Sequence, residues 1–146
     1  MNTNYPVIQP YLFFDGRCEE ALEFYKKALD AHVLMLVRYK ESPVPHDSKY
    51  GPPPPGDKIM HARFTVANSV VMVSDGHCAG TPKFEGFSLS ITVASEADAD
   101  RYFNALAEGG KVQMPLAKTF FSPRFGMLVD RFGIMWMILA EAQASH

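Results

Sequence analysis

Two stretches of similar pattern decide the fold of this chain: EALEFYKKAL at residues 20–29 and ADADRYFNAL at residues 97–106. They lie 77 residues apart, and their alanine, leucine and aromatic positions are in phase when one stretch is laid over the other. In both, apolar residues recur three and four positions apart, which is typical of a helix with one buried face. A repeated unit built around each helix is therefore the first hypothesis for the fold.

Strand patterns flank the first helix. One strand precedes it at residues 7–14 (VIQPYLFF), and three follow it at residues 33–40, 58–67 and 69–75. Asp15 stands where the residue that caps this helix is expected. The apolar residues that form its inner face are Cys18, Ala21, Leu22, Tyr25, Ala28 and Leu29.

The second helix has the same neighbours. Residues 87–93 (FSLSITV) precede it as a strand, and three strands follow at residues 111–116, 125–130 and 133–140. Ser95 is placed to cap its start, and the glycine pair at residues 109–110 ends it.

The order strand, helix, three strands is thus present twice, and it predicts an α+β fold of two βαβββ modules, about residues 5–76 and 86–141. A length of 146 residues with 47% hydrophobic residues suits a single domain, residues 1–146. The formal net charge of −2 leaves no basic excess with which to bind nucleic acid. No apolar run approaches the ~20 residues that span a bilayer, so we expect a cytoplasmic protein that binds no membrane.

The cysteines and prolines of the chain give two further indications. Cys18 and Cys78 are far apart and form no C-x-x-C pair, so neither a disulfide framework nor a zinc knuckle is indicated. Residues 41–57 contain six prolines, four of them consecutive, and predict a long surface loop. Such a loop can be a stiff spacer, or a lid or partner-binding edge, and the sequence leaves its role open.

Residues 60–66 alternate between apolar and polar side chains, which places His61, Arg63 and Thr65 on one face of a strand. His61 and Arg63 then lie about 7 Å apart along the strand. The arginine can hold a carboxylate or phosphonate, and the imidazole can transfer a proton near neutral pH. The alternative is that both residues face water on an edge strand.

Residues 87–93 alternate in the same way, with Ser88, Ser90 and Thr92 on the polar face. If the helices cover the apolar face, these hydroxyl groups face the inside of a curved sheet. A sheet that faces solvent would show the same alternation, so both readings stay open.

An apolar cleft with few polar anchors is the usual form of a small-molecule site. Residues 119–126 (TFFSPRFG) offer an aromatic wall and one cation, Arg124. The other residues that can line such a cleft are Tyr11, Met72, Phe120, Phe121 and Met137. The two methionines can equally pack in an ordinary core.

Four segments carry a resemblance to a known family: PYLFFDGRCEEALEFY, DKIMHARF, VMVSD and FGMLVDRFGIMWMI. With them the chain resembles the vicinal oxygen chelate superfamily, also called the glyoxalase, bleomycin-resistance and dioxygenase fold, and within it the PhnB-like branch. The resemblance implies that the two βαβββ modules pair into a curved mixed-sheet cup with the helices on the outer face. It also implies a homodimer, which the exposed edges of a twisted sheet favour.

Metal-dependent members of this superfamily take four ligands from the first and last strand of each module. The resemblance carries those positions to Gln9, Met72, Ser88 and Met137, and none of the four is a histidine or a carboxylate. Such a set would hold Zn²⁺, Ni²⁺ or Mn²⁺ poorly, and a shift of one residue brings in no better ligand. Asp75, His77 and Cys78 are three possible donors within four loop residues, which is poor geometry for a closed tetrahedral site. We therefore expect no metal.

The branch carries an inherited methyltransferase label, but the chain lacks the glycine-rich strand-to-helix turn that S-adenosylmethionine binding typically uses. We therefore expect no cofactor, and a small, partly aromatic or anionic molecule bound in the cup. The residues predicted to bind it are Tyr11, His61, Arg63, Ser88, Ser90, Phe121 and Arg124. The alternative is a metal-independent lyase, isomerase or hydrolase that uses His61 with a carboxylate such as Asp75. The ligand, any catalysis, and the pairing of modules within or between chains stay open.

Overall fold

The computed structural model describes residues 6–47, 49, 51–78 and 82–142. Over these ranges the chain forms two helices, α1 (Cys18–Leu29) and α2 (Glu96–Ala107). The strands are β1 (Tyr11–Phe13), β2 (His32–Arg38), β3 (Ile59–Val66), β4 (Ser69–Ser74), β5 (Leu89–Val93), β6 (Lys111–Ala117), β7 (Phe125–Val129) and β8 (Met135–Ala140). The predicted order of strand, helix and three strands, present twice, is confirmed. Neither of these helices is long and apolar enough to cross a membrane.

The chain divides into two compact units, residues 1–26 with 30–81 and residues 27–29 with 82–146. The first unit holds a sheet of strand order β1-β4-β3-β2, and the second holds a sheet of order β5-β8-β7-β6. In each sheet the first pair is parallel and the other two pairs are antiparallel. This shared order is the structural counterpart of the repeated sequence pattern, and the α+β fold class is confirmed.

All strands except β6 are shorter than the sequence predicts. β1 begins at Tyr11 because Pro10 has no N–H to donate, although its carbonyl accepts from the Met72 N–H at 3.0 Å. β2 ends at Arg38 because Tyr39–Glu41 forms a 3₁₀ turn. β5 begins at Leu89, two residues later than its alternating pattern.

The apolar stripe predicted for α1 is buried along its whole length. Its members are Cys18, Ala21, Leu22, Tyr25, Ala28 and Leu29. The fully buried Tyr25 ring packs between Phe14 and Phe64, with centroid distances of 6.3 and 5.8 Å. Burying a large apolar side chain stabilises a fold by about 1.5–3 kcal/mol, so this contact fixes α1 on one face of the first sheet.

The start of α1 is capped differently from the prediction. Asp15 is not the N-cap: its φ is +53°, and the residue that precedes the helix is Arg17. Instead the carboxylate of Asp75, which follows β4, accepts hydrogen bonds from the backbone N–H groups of Gly16 and Cys18, both at 2.8 Å. The free N–H groups at the start of α1 therefore bond to a residue far along the chain. A capping rule that considers only neighbouring residues cannot detect such a cap.

The second unit follows its predicted helix boundaries more closely. The Ser95 hydroxyl accepts the N–H of Asp98 at 3.1 Å, as the capping prediction requires. Gly109, with φ +76°, follows the end of α2. On the facing sheet, a Cβ at Gly126 would lie only 2.7 Å from the Phe103 ring, so β7 needs a glycine for α2 to pack closely.

Candidate functional site

One face of the first sheet is turned away from α1. Residues that alternate toward α1, such as Ala62 and Phe64, are fully buried. Their neighbours point to the opposite side, which we call the helix-free face. Strand register places Tyr11 beside Met72 and Met72 beside Arg63, so these three residues form one row across the sheet. Around this row the helix-free face carries Tyr11, Phe13, His61, Arg63, Met72 and Ser74.

Three rings form an aromatic surface on the helix-free face. The Tyr11 and Phe13 rings are stacked, with centroids 4.9 Å apart and an interplanar angle of 21°. The Tyr11 hydroxyl is hydrogen-bonded to Nδ1 of His61 at 2.8 Å. Tyr11 and Phe13 are 39% and 55% exposed, so their ring faces can still take a ligand ring.

Arg63 differs from the other residues of this face because part of its charged side chain is buried. Its Nε atom is buried and has no hydrogen-bond partner within the described ranges. The only other arginine on the four strands is Arg38, and that side chain is paired with Glu19 of α1 at 2.7 Å. No strand of this sheet carries an Asp or a Glu. Among the described residues Arg63 thus has no anionic partner, and leaving a buried donor such as its Nε–H without an acceptor is costly unless a ligand supplies one.

The pKa values of His61 and Tyr11 are shifted in the directions that keep both side chains neutral. Burial and the positive charge of Arg63 lower the pKa of His61 below its ordinary value of 6.5. Burial raises the pKa of Tyr11, and the hydroxyl of Ser74 acts in the opposite direction. At neutral pH the pair is therefore an uncharged imidazole and an uncharged phenol. A neutral imidazole offers one N–H donor and one acceptor nitrogen, so His61 can still hydrogen-bond to a ligand.

Asp75 lies next to this network but is occupied by the backbone. It is 1% exposed, and one carboxylate oxygen accepts from both Gly16 and Cys18 while the other accepts from the Ile59 N–H at 2.8 Å. Three backbone donors hold the carboxylate in place between α1 and β3. It is thus a structural group, and catalysis by His61 together with Asp75 is not favoured.

The polar strand residues of the second unit lie on the corresponding side of their own sheet. Ser90 pairs with Met137, whereas its neighbour Leu89 pairs with Trp136, which is 2% exposed on the side of α2. Ser90 and Met137 therefore point away from α2. Ser88 lies just before β5 begins.

The segment 119–126 does not place its aromatic rings and its cation together. Phe121 packs against Phe125 at 5.0 Å and lines an open cleft of about 490 Å³ together with Phe120. Arg124 instead donates to the Asp100 carboxylate of α2 at 2.8 Å, on the helix side of the sheet. Within the second unit, Arg124 thus already has an anionic partner.

The donor set at the metal positions does not fit a divalent ion. Met72 and Met137 present thioethers, Gln9 an amide and Ser88 a hydroxyl, whereas such ions prefer imidazole and carboxylate ligands. Among the residues with described positions, no group of three or more His, Cys, Asp or Glu is placed to hold a metal.

Phe13 and Ser74 belong to the helix-free face although sequence reasoning did not single them out. Phe13 alternates with the buried Leu12, so the period of the strand was the signal that could have found it. Ser74 is 3% exposed, and its hydroxyl accepts the Gly76 N–H at 2.8 Å, a loop contact with no sequence signature.

Comparison with known proteins places these observations in a family. Residues 6–139 match the family described as 3-demethylubiquinone-9 3-methyltransferase. Protein YjdN of Escherichia coli K12 is 34% identical over 136 residues, which cover 90% of this chain and 92% of that protein. The strand-to-helix turns of this chain are not glycine-rich, so the methyltransferase activity in the family description is not transferred to it.

Solved structures agree with the family match. Protein PA1353 from Pseudomonas aeruginosa is 44% identical with a TM-score of 0.81, covering 95% of this chain and 100% of that chain. A structure described as a putative 3-demethylubiquinone-9 3-methyltransferase, PhnB protein, from Bacillus cereus is 30% identical with a TM-score of 0.77, covering 92% and 99%. Structures of the glyoxalase/bleomycin resistance/dioxygenase type match at 20% identity or below and show the fold alone. The chain therefore belongs to the PhnB-like family described as 3-demethylubiquinone-9 3-methyltransferase, and it has the fold of the glyoxalase/bleomycin resistance/dioxygenase structures.

Proposed function

We propose that this protein binds a small, partly aromatic or anionic molecule, without a metal ion, on the helix-free face of its first sheet. The observation that carries the proposal is the state of Arg63: its buried Nε has no hydrogen-bond partner among the described residues, and no strand of its sheet offers a carboxylate. A ligand anion would supply that partner. A charge-assisted hydrogen bond to such an anion contributes about 1.5–3 kcal/mol.

The surroundings of Arg63 favour binding over bond cleavage. His61 is neutral and hydrogen-bonded to Tyr11, and the carboxylate of Asp75, which follows β4, is held by three backbone N–H groups. The stacked rings of Tyr11 and Phe13 offer an apolar surface for the remainder of the ligand. The site thus combines one cation, one neutral hydrogen-bonding group and aromatic area, a common composition for small-molecule recognition.

We also propose that the protein is a cytoplasmic homodimer. The edge strand β6 supports the dimer because Val112 and Met114 on it are 43% and 46% exposed. Exposed apolar side chains on a sheet edge usually require cover, and a second copy of the chain is the partner that a family of dimers suggests. The binding proposal rests on residues of the first unit and the dimer proposal on residues of the second, so the two are tested independently.

The test is a thermal-shift screen of aromatic carboxylates, phosphonates and uncharged analogues, in buffer that contains EDTA. We expect at least one anion to raise Tm, with its Kd then measured by calorimetry. Arg63→Met should weaken that Kd by about tenfold or more, since one charge-assisted hydrogen bond is lost. The matched control Arg38→Met removes the same charge from the same sheet, on the side of α1, and should leave the Kd unchanged.

Two outcomes overturn the proposal. One is that no anion in the screen stabilises the protein when EDTA is present. The other is that Arg63→Met, still folded by circular dichroism, binds the selected anion as tightly as the parent protein.

A further inference from the structure

The helix-free face carries only one compensating charge for a ligand. Of the two arginines on the four strands, Arg38 is engaged by Glu19 and by the carbonyl of Asp57. Arg63 is therefore the strand arginine that can pair with a ligand anion, and His61 beside it is neutral at pH 7. A ligand with one negative charge would balance Arg63. A ligand with two would bring an extra, unpaired charge to a partly buried position, which is unfavourable.

Two donor side chains leave this face of β3 from alternate positions and can converge on one group of a ligand. His61 and Arg63 are separated by one residue on β3, so their side chains leave the same face about 7 Å apart. Tyr11 holds the His61 ring through Nδ1. If the phenol donates this hydrogen bond, the imidazole proton must lie on Nε2, and Nε2–H becomes a donor to the ligand.

A carboxylate satisfies both requirements. It carries a single charge and accepts hydrogen bonds at two oxygens, one for the Arg63 guanidinium and one for the His61 Nε2–H. The stacked pair of Tyr11 and Phe13 gives a ring surface beside these donors, with room for offset or edge contacts to an aromatic ligand.

Resting on the proposed function, we propose that the ligand is an aromatic monocarboxylate bound between Arg63 and His61, and that Tyr11 is a positioning residue that fixes the tautomer of His61. Dianionic phosphonates and phosphate esters are then not preferred ligands, because they carry two negative charges. Tyr11 then has a second role besides offering ring area, because its hydroxyl holds His61 in one tautomer.

The test uses three probes that share a phenyl ring: benzoate, benzamide and phenylphosphonate, the last of which carries a second negative charge at pH 8. Calorimetry at that pH should show benzoate binding about tenfold or more tightly than benzamide, and clearly more tightly than phenylphosphonate. Tyr11→Phe should weaken benzoate binding about fivefold. It should also change the ¹⁵N shifts of His61 from one tautomer to a mixture. The matched control Tyr102→Phe, on α2, should change neither quantity.

Each failure has a distinct meaning. If phenylphosphonate or benzamide binds as tightly as benzoate, or if benzoate does not bind, the carboxylate inference is wrong. The proposed function would still hold in that case, provided another anion loses affinity in Arg63→Met. If Tyr11→Phe keeps both the benzoate affinity and the single His61 tautomer, Tyr11 does not position the imidazole. If no anion binds at all, the proposed function falls and this inference falls with it.

Discussion

Replacing Asp75 by asparagine should destabilise the protein far more than its small change in shape suggests. The carboxylate is 1% exposed and accepts three backbone hydrogen bonds of 2.8 Å, from Gly16, Cys18 and Ile59. An amide keeps only one acceptor oxygen, so at least one buried N–H must then face an NH₂ group. Since each bond is charge-assisted, that loss costs about 1.5–3 kcal/mol.

The lost charge adds a second contribution. A carboxylate at the first turn of a helix interacts favourably with the helix dipole, by about 0.3–1 kcal/mol. We therefore expect Asp75→Asn to lower the free energy of unfolding by about 3 kcal/mol, a large share of the ~5–15 kcal/mol typical of a folded domain. Urea unfolding followed by far-ultraviolet circular dichroism measures the difference.

Asp15→Asn is the matched control because sequence reasoning assigned the cap of α1 to Asp15. Asparagine tolerates the positive φ at this position, so the free energy of unfolding should change by less than about 0.5 kcal/mol. A loss below 0.5 kcal/mol for Asp75→Asn, or equal losses in the two variants, would show that Asp75 does not cap α1 in the way that its contacts indicate.

Three further predictions concern packing, titration and assembly. Gly126→Ala should cost about 1–3 kcal/mol in urea unfolding, because its Cβ would lie 2.7 Å from the Phe103 ring and 3.0 Å from the Met114 carbonyl; a neutral effect would contradict this packing. The NMR titration of His61 should give a pKa below 6.5 that rises in Arg63→Met. Because the folded state then binds fewer protons than the unfolded state, stability should fall as pH drops below about 6.5, and an unshifted His61 would refute this. Light scattering should give twice the chain mass of 16.3 kDa, and a concentration-independent single-chain mass would exclude the dimer.

Local patterns were sufficient for the elements of this fold but not for all of its contacts. The period of the side chains predicted both helices, their buried faces and the alternation of β3, because these depend on neighbours in sequence. Ser95 was recognisable for the same reason, since its acceptor and the Asp98 N–H are three residues apart. The cap of α1 was assigned wrongly because its acceptor, Asp75, is separated from Cys18 by 57 residues.

The candidate site shows the same limit. Alternation placed His61 and Arg63 on one face, but it could not tell which arginine would lack a partner. Arg124 looked equally available in sequence, yet α2 brings Asp100 to within 2.8 Å of it. Pairing between distant charges depends on how helices pack on sheets. Only the fold therefore distinguishes Arg63, which has no anionic partner among the described residues, from Arg124, which is paired with Asp100.

The central claim is that the buried Nε–H of Arg63 receives its partner from a ligand. The most direct measurement is the ¹H–¹⁵N resonance of the Arg63 Nε–H group, assigned by its loss in Arg63→Met, during titration with the anion selected by the screen. The account predicts a downfield proton shift that saturates with the Kd found by calorimetry, while the Nε–H of Arg38 stays in place. Saturable binding of that anion with an unchanged Arg63 resonance would contradict the account.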